Sequence, residues 1–254
     1  MFFIGEYNYL GSIPQVANLN DTVIYYIEAV DFAQTGNIIR DPQNAPTSYY
    51  RFIANYIDTI SPLPFSLISP LDSAILSISR PDFVWEASYD SMSGLKYYEV
   101  YINDTLKHTG TDTVWTADYN LTEGYDDWYV VAYDSSDNVQ QSNETRTVII
   151  DTTPPAIVNL ISPADSIYLN NSTVNLVWNK ASDNLSGVDH YILQYAFDNG
   201  FTQGLVETTM VDTTFTTVLG DSVYYWKVKA VDVATNEGAF SDVWQFEVDT
   251  QSPN

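Results

Sequence analysis

The chain contains no cysteine among its 254 residues. This absence excludes disulfide bridges, thiolate zinc sites and cysteine nucleophiles. It does not fix the compartment, because β-sandwiches of this size need no bridges outside the cell. No apolar run reaches the roughly 18 residues that a membrane-spanning helix requires. The opening "MFFIGEYNYLG" also lacks the basic leader and apolar stretch of a signal peptide. We therefore expect no membrane insertion in this segment.

Basic residues are scarce as well. The chain has 9 Lys and Arg against 33 Asp and Glu, which gives a net charge of −24. Phosphate contact needs clustered Lys and Arg, so nucleic acid is excluded as a partner. Anionic membrane surfaces are disfavoured for the same reason. The simplest interpretation of this charge is that solvated acidic faces keep repeated units apart. Cation binding is the more specific alternative.

Helix signals are absent, and turn-forming residues recur at short intervals. Pro, Gly, Asn, Asp and Ser interrupt β-branched and aromatic runs every 8–12 residues or so, a spacing typical of β-sandwiches. In "YYWKVKAVD" (224–232) the residues alternate, so Tyr224, Trp226, Val228 and Ala230 share one face of a strand. We expect that face to point into a core.

The chain repeats itself. "LISPLDS" (67–73) matches "LISPADS" (160–166), and "FVWEASYDSMSGLKYYEVYI" (83–102) matches "LVWNKASDNLSGVDHYILQY" (176–195). Trp85 and Trp178 are 93 positions apart, as are Asp58 and Asp151. The later copy carries extra residues in its middle, which predicts a lengthened hairpin near 197–208. We interpret the two tryptophans as core anchors rather than sugar-stacking platforms, because both end apolar strands at one repeat position.

Three similar segments end the repeated units: "DTISP" (58–62), "DTTPP" (151–155) and "DTQSP" (249–253). Proline fixes its own φ and holds the preceding residue extended, so we expect a stiff seam at each. The predicted organisation is a partial module at 1–58 with its C-terminal strands only. Complete modules follow at 59–151 and 152–250, and the start of a further linker at 251–254. Both ends are expected to be cut from a longer array.

The partial module matches the later copies through "DTVIYYIEAVDFA" (21–33). We predict strands at 2–9, 22–30 and 48–56. The segment "GNIIRDPQNAP" (36–46) is predicted to be a loop, because Gly, Asn and Pro dominate it.

These motifs resemble those of fibronectin type III and related immunoglobulin-like modules of bacterial or archaeal secreted and surface proteins. The resemblance depends on "FVW" and "LVW", the "D-x-x-SG-[LV]-x-x-Y" segments (90–98 and 183–191) and the "DTTPP" boundary. It implies tandem all-β sandwiches of Greek-key topology with seven strands in each complete module. The family's tyrosine near the start of the sixth strand is matched by Tyr224, whereas Asp126 occupies the equivalent position one module earlier.

Acids recur at equivalent positions of the repeats and are candidates for calcium binding. Asp58 and Asp151 lie at seams, Asp90 and Asp183 begin the "SG" turns, and the last pair closes the sixth strands: Asp134 and Asp232. Calcium takes six to eight oxygen ligands, so seam acids that meet loop acids of the next module would suit it. Asp in turns also accepts backbone hydrogen bonds without any metal. No cofactor is required by the sequence, and calcium is the one candidate.

No catalytic constellation is found. His108 and His190 are the only histidines, they fall in different modules, and no G-x-S-x-G segment accompanies them. We predict that His108 lies in a turn and His190 in a strand. The sequence therefore predicts no enzyme.

We interpret the chain as a non-catalytic structural or adhesive repeat segment of a larger extracellular or cell-surface protein. It would act as a spacer or as an array that binds a protein or glycan at a cell surface, beside neighbouring modules of the same parent chain. The alternative is a carbohydrate-binding or accessory module of a secreted hydrolase, which an exposed aromatic pair on one sheet would favour.

Overall fold

Strands make up the regular structure of this protein. The computed structural model describes residues 22–25, 27–30, 38–41, 50–53 and 58–251. Within those ranges there is no helix, and hence none long and apolar enough to cross a membrane. The predicted all-β class is confirmed. The chain forms two compact units, Met1–Ile60 and Ser61–Asn254.

The first unit contains four short strands: β1 (Thr22–Tyr25), β2 (Ile27–Val30), β3 (Ile38–Asp41) and β4 (Tyr50–Ile53). β1 pairs with β4 and β2 with β3, both antiparallel. These strands fall in the predicted segments 22–30 and 48–56, and the predicted strand 2–9 lies outside the described residues. The loop prediction for 36–46 is wrong in part. Ile38 and Ile39 extend opposite Val30 and Ala29, so a β-branched pair with a strand partner outweighs the nearby Pro and Asn.

The first sandwich of the second unit has two sheets. Its strands are β5 (Leu67–Ser69), β6 (Ala74–Leu76), β7 (Asp82–Trp85), β8 (Leu95–Ile102), β9 (Thr105–Gly110), β10 (Val114–Thr116), β11 (Gly124–Asp134), β12 (Val139–Gln141) and β13 (Arg146–Ile150). One sheet has the order β10-β7-β5 and the other β6-β13-β11-β8-β9, with β12 also on β11. Since β5 and β6 are parts of the first strand and β12 and β13 parts of the last, seven strand positions result.

The second sandwich repeats this topology. Its strands are β14 (Leu160–Ser162), β15 (Ile167–Leu169), β16 (Thr173–Trp178), β17 (Val188–Ala196), β18 (Val206–Met210), β19 (Thr214–Val218), β20 (Ser222–Asp232) and β21 (Trp244–Val248). The sheets have the orders β14-β16-β19 and β15-β21-β20-β17-β18. The predicted longer hairpin is confirmed. Residues 197–205 separate β17 from β18, whereas only Asn103 and Asp104 separate β8 from β9.

Each sandwich has its own hydrophobic core. One core gathers buried residues between Phe65 and Ile150, and the other between Val158 and Val248. These cores fall inside the segments assigned to the two complete modules, while the exact module limits stay a prediction. Alternation along β20 is as expected, because Tyr224, Trp226 and the inward residues after them are buried.

The two predicted core tryptophans are 2% and 1% exposed, at Trp85 and Trp178 respectively, which confirms their role. Each packs edge-on against a buried tyrosine of the opposite sheet, Tyr98 or Tyr191. The tyrosine hydroxyls then accept the backbone N–H of Ser88 at 2.8 Å and, one repeat later, that of Ala181 at 3.0 Å. The same aromatic pair therefore fixes the end of the tryptophan strand in both sandwiches.

Candidate functional site

Three predicted acids converge where the two sandwiches meet. Asp151, Asp183 and Asp232, here called the seam triad, each offer a carboxylate oxygen, and these oxygens all lie within 4.8 Å of one another. Asp151 and Asp232 are each 1% exposed, and Asp183 is partly buried. The structure thus brings together three residues that the sequence places 32 and 49 positions apart along the chain.

Local turn geometry positions each acid of the triad. Asp183 begins the "SG" turn and accepts the N–H groups of Leu185 at 3.1 Å and Gly187 at 2.7 Å. Gly187 has φ of 83°, a left-handed conformation that glycine adopts without a steric penalty. Asp232 ends β20 and accepts both the backbone and the side-chain N–H of Asn236. The turns therefore hold two carboxylates toward Asp151.

Asp151 itself connects the seam to the second sandwich. Its Oδ2 accepts the N–H of Ser186 at 3.0 Å, and its backbone carbonyl accepts Nδ2 of Asn236 at 2.8 Å. The N–H groups that donate to the triad are neutral backbone and asparagine groups. None of the ion pairs among the described residues involves these three acids. Three carboxylates so close together repel one another unless a cation or protons offset their charge.

The equivalent acids one repeat earlier have similar local geometry. Asp90 accepts the N–H groups of three turn residues after it, and Asp134 accepts the N–H of Ser136 and of Asn138. Their carboxylate oxygens lie within 4.8 Å of each other, and both residues are buried. Asp58, in the first unit, is 5% exposed and accepts the N–H of Ile60 at 2.9 Å. It holds the repeat position of Asp151.

A second acidic residue holds the seam from the side of the first sandwich. The Oε1 atom of Glu123 accepts the N–H and hydroxyl of Thr152 and the hydroxyl of Thr153. These bonds lower the pKa of the Glu123 carboxyl, the Thr153 hydroxyl most of all. Asp221 repeats the arrangement with Thr250, whose N–H lowers the pKa of Asp221. We call these contacts between a carboxylate and a seam threonine the seam clamp.

The outward face of β8 and β11 carries an aromatic surface that the sequence analysis did not identify. Tyr97 stacks on Tyr133 at 4.8 Å between ring centroids, and Tyr101 stacks on Tyr129 at 5.0 Å and 4° between ring planes. All four rings are partly exposed. The Tyr101 hydroxyl donates to Glu99 at 2.7 Å, which holds the pKa of Tyr101 well above its usual range. The sequence signal for this surface is the alternation of Tyr97, Glu99 and Tyr101 with buried residues along β8.

Neither histidine is a member of the seam triad. His190 is in β17, as predicted, and contacts Asp189. The turn prediction for His108 is wrong, because this residue lies in β9 and stacks on Trp115 at 5.4 Å between ring centroids. Pairing of β9 with β8 extends the hairpin past the point where the sequence suggests a turn.

No protein-family profile matches the chain, and no curated protein sequence matches it. Several solved structures are similar to it. Fibronectin(III)-like modules of CbhA from Clostridium thermocellum have 15% identity and a TM-score of 0.46, covering 72% of this chain and 93% of theirs. The FN1–FN3 domains of chicken CNTN1 have 15% identity and a TM-score of 0.45, with coverage of 78% and 70%. Domains A168–A170 of titin have 12% identity and a TM-score of 0.45, with coverage of 91% and 92%.

The strand order identifies the fold class independently of these likenesses. A three-stranded sheet packs against a larger sheet whose central strands are β11 and β8, or β20 and β17. The Tyr224 hydroxyl donates to the carbonyl of Gly220 at 3.2 Å, the tyrosine-corner contact of such sandwiches. The second unit consists of tandem fibronectin-III-like sandwiches. The fold alone assigns no ligand.

Proposed function

We propose that this chain is a non-catalytic spacer segment of a larger extracellular protein, in which successive sandwiches are held at a fixed joint. The seam at 151–155 carries the proposal, because hydrogen bonds fix it from both sides. Glu123 of the first sandwich binds Thr152 and Thr153, while Ser186 and Asn236 of the second bind Asp151.

Packing supports a fixed joint as well. Gly238 approaches the seam so closely that a Cβ on it would lie 2.8 Å from the carbonyl oxygen of Pro155. Ala156 donates its N–H to Ser182 at 2.9 Å, which adds a contact just after the prolines. Prolines and contacts on both sides already restrict the backbone of this joint. The joint therefore loses little further conformational entropy when the chain is under tension.

Distance measurements between the two sandwiches test the spacer proposal. The chain has no cysteine, so spin labels can be attached at Thr109→Cys in β9 and Thr209→Cys in β18, both exposed positions. We expect a narrow distance distribution by pulsed electron paramagnetic resonance. Glu123→Ala should broaden it, and Glu207→Ala, an exposed acid on β18, should not. A broad distribution in the unsubstituted chain would contradict the proposal.

Calcium bound by the seam triad would stiffen the same joint. Three carboxylates within 4.8 Å, two of them buried and none in an ion pair, form an oxygen-rich site of the kind that calcium uses. The site joins the seam to two loops of the second sandwich. Bound calcium would therefore stabilise the second sandwich and the joint together.

Calorimetry of the full chain decides whether calcium binds. Free calcium at about 100 times its Kd should stabilise the second sandwich by about 2.7 kcal/mol. Asp183→Asn should abolish this gain, because the amide keeps the turn hydrogen bonds while removing a charge. Asp212→Asn, an exposed acid, should retain it. If calcium has no more effect than magnesium or sodium at equal ionic strength, the acids serve as turn acceptors alone.

One observation favours the alternative function, a carbohydrate-binding or accessory module. The outward tyrosine pairs on β8 and β11 provide a partly exposed aromatic surface of the kind that packs against sugar rings. Binding to cellulose or chitin particles that falls in Tyr101→Ala with Tyr129→Ala, but not in Tyr125→Ala, would support this function. If the chain is retained on neither polysaccharide, the carbohydrate-binding alternative is contradicted and the spacer function stands.

A further inference from the structure

The two sandwiches differ at one end of their cores. In the second sandwich Tyr195 and Tyr224 fill this end, with ring centroids 6.4 Å apart. The corresponding residues of the first sandwich are Ile102 and Asp126. The strand ladders confirm the match, because Ile102 lies opposite Trp128 just as Tyr195 lies opposite Trp226. Two large rings are thus replaced by a smaller apolar side chain and a carboxylate.

A cavity of about 270 Å³ occupies the space near this replacement. Ile102 and Leu121 provide apolar surface, and polar groups from the β8–β9 hairpin, the loop before β11 and β11 itself complete the lining: Asn103, Thr105, Lys107, Tyr119, Asn120, Thr122 and Asp126. The volume is slightly below the range of about 300–1,000 Å³ typical for drug-sized ligands. A single small ring fits such a space.

Two residues of this lining each carry a buried polar atom without a hydrogen-bond partner: Oη of Tyr119 and Oδ2 of Asp126. Asp126 is only 7% exposed, and its other oxygen accepts Nδ2 of Asn103 at 2.7 Å. Leaving such atoms without partners costs about 1–3 kcal/mol each, and more for a charged group. Burial and the nearby charge of Asp126 raise the pKa of Tyr119, so its hydroxyl stays protonated and able to donate.

The chemistry of the lining selects among ligands. Asp126 requires a hydrogen-bond donor, and Tyr119 can donate or accept. Lys107 places its ammonium 5.2 Å from the centroid of the Tyr119 ring, so groups of both charge signs surround the cavity. A hydroxyl can donate to the carboxylate and accept from the phenol or the ammonium. A ring with neighbouring hydroxyls and an apolar face matches this lining, whereas an anion would meet Asp126 and a simple cation would meet Lys107.

We propose that this cavity binds one neutral sugar ring, whose hydroxyls contact Tyr119 and Asp126. The site is separate from the seam triad and from the outward tyrosine pairs, and it does not depend on the spacer function. It makes the first sandwich a ligand-binding unit, while the second sandwich closes the same end with its own tyrosines.

Nuclear magnetic resonance titration of the full chain tests the proposal, with glucose, galactose and N-acetylglucosamine as probes. We expect at least one probe to cause saturable shifts at the amides of Asn103, Leu121 and Asp126. Tyr119→Phe should raise the Kd about tenfold by removing one hydroxyl. It should leave the ligand-free protein equally or more stable, because the unpartnered buried hydroxyl is gone. A purely structural hydroxyl would give the opposite change in stability.

Charge-matched variants complete the test. Asp126→Asn should abolish the shifts, and Asp112→Asn, which removes the same charge from an exposed turn of the first sandwich, should preserve them. Absence of saturable shifts with all three sugars would overturn the proposal and leave water as the only occupant. Shifts that persist unchanged in both Tyr119→Phe and Asp126→Asn would overturn it too, because the sugar would then bind elsewhere.

Discussion

The largest fully buried side chains among the described residues are tryptophans and tyrosines. Trp178 is 1% exposed and contacts Tyr191 in an edge-on arrangement, and the same pair exists one repeat earlier. Burial of a side chain this large removes roughly 200 Å² from water, worth about 5 kcal/mol of transfer free energy. Since the cores are separate, damage to one pair should remain confined to its own sandwich.

Trp178→Ala is expected to lower the free energy of unfolding of the second sandwich by about 3–5 kcal/mol. The first sandwich should change by less than about 0.5 kcal/mol, because its core shares no buried residue with the second. Hydrogen exchange of core amides resolves the two sandwiches separately.

Tyr168→Ala is the control for this substitution. Tyr168 is 74% exposed, so its removal should cost no more than about 0.5 kcal/mol. Equal losses of protection in both sandwiches of Trp178→Ala would mean that they unfold as one cooperative body.

At the scale of strands and loops, the sequence predicts what repetition and alternation reveal. The inward faces, the lengthened hairpin at 197–205 and the core tryptophans all follow from period-two patterns or from comparison of the copies. Strand β3 is not predictable from the local sequence, because Ile38 and Ile39 stand among loop-forming residues and form a strand by pairing with β2.

The candidate sites were predictable to different extents. The acids of the seam triad could be named because each ends a strand or begins a turn at a repeated position. The cavity lined by Tyr119 and Asp126 could not be predicted, because the sequence alone shows Asp126 only as a departure from the family's tyrosine. Its signal was a charge at an inward position of β11, two residues before Trp128. Which loops would enclose that charge depends on tertiary packing that no local pattern encodes.

The seam itself offers a prediction at this scale. Gly238→Ala would place a Cβ 2.8 Å from Pro155 O and 3.2 Å from Ala230 O, both backbone atoms that cannot rotate away. We expect a loss of about 1–3 kcal/mol and faster proteolysis at the seam. Limited proteolysis with mass spectrometry measures both the cleavage site and its rate.

Gly220→Ala provides the matched control, because nothing lies within 4 Å of a Cβ at that position. Its stability should be unchanged, or increase by about 0.4–1 kcal/mol through the unfolded state. If Gly238→Ala were as stable as Gly220→Ala and equally resistant to proteolysis, the seam would not depend on this close approach.

For the molecule as a whole, the direction of pKa shifts determines how stability varies with pH. The carboxyls of Glu123 and Asp221 have lowered pKa values because threonine hydroxyls and N–H groups bind their ionised forms. The pKa of Asp198 is lowered mainly by the hydrogen bond from the N–H of Gln203. A lowered folded-state pKa contributes stability above the ordinary carboxyl pKa, and this stability is lost as the pH falls below about 4.

We therefore expect the urea midpoint to decrease on acidification below about pH 4.5, with a shallower decrease in Glu123→Gln, whose side chain no longer titrates. Urea unfolding from pH 3 to pH 7 measures the difference, and Glu207→Gln should follow the unsubstituted chain. Parallel acid limbs for Glu123→Gln and the unsubstituted chain would show that the seam clamp does not contribute to acid sensitivity.

Stability should also decrease at alkaline pH, where tyrosine hydroxyls rather than carboxyls titrate. Burial raises the pKa of Tyr98 and of Tyr224, and the bond to Glu99 raises that of Tyr101. Raised folded-state pKa values contribute stability below the ordinary tyrosine pKa of about 10, and this contribution disappears as the pH rises beyond it. Absorbance titration should accordingly find a group of tyrosines that ionise only together with unfolding.

The seam clamp occurs twice, with Glu123 binding Thr152 and Asp221 binding Thr250. A gene fusion that joins copies of 61–251 head to tail would offer Thr250 and Asp249 to the next copy much as Thr152 and Asp151 are offered here. Each added copy should then increase the length of the fusion protein by a constant amount. The spacing between copies would be set by the geometry of the joint rather than by a flexible linker.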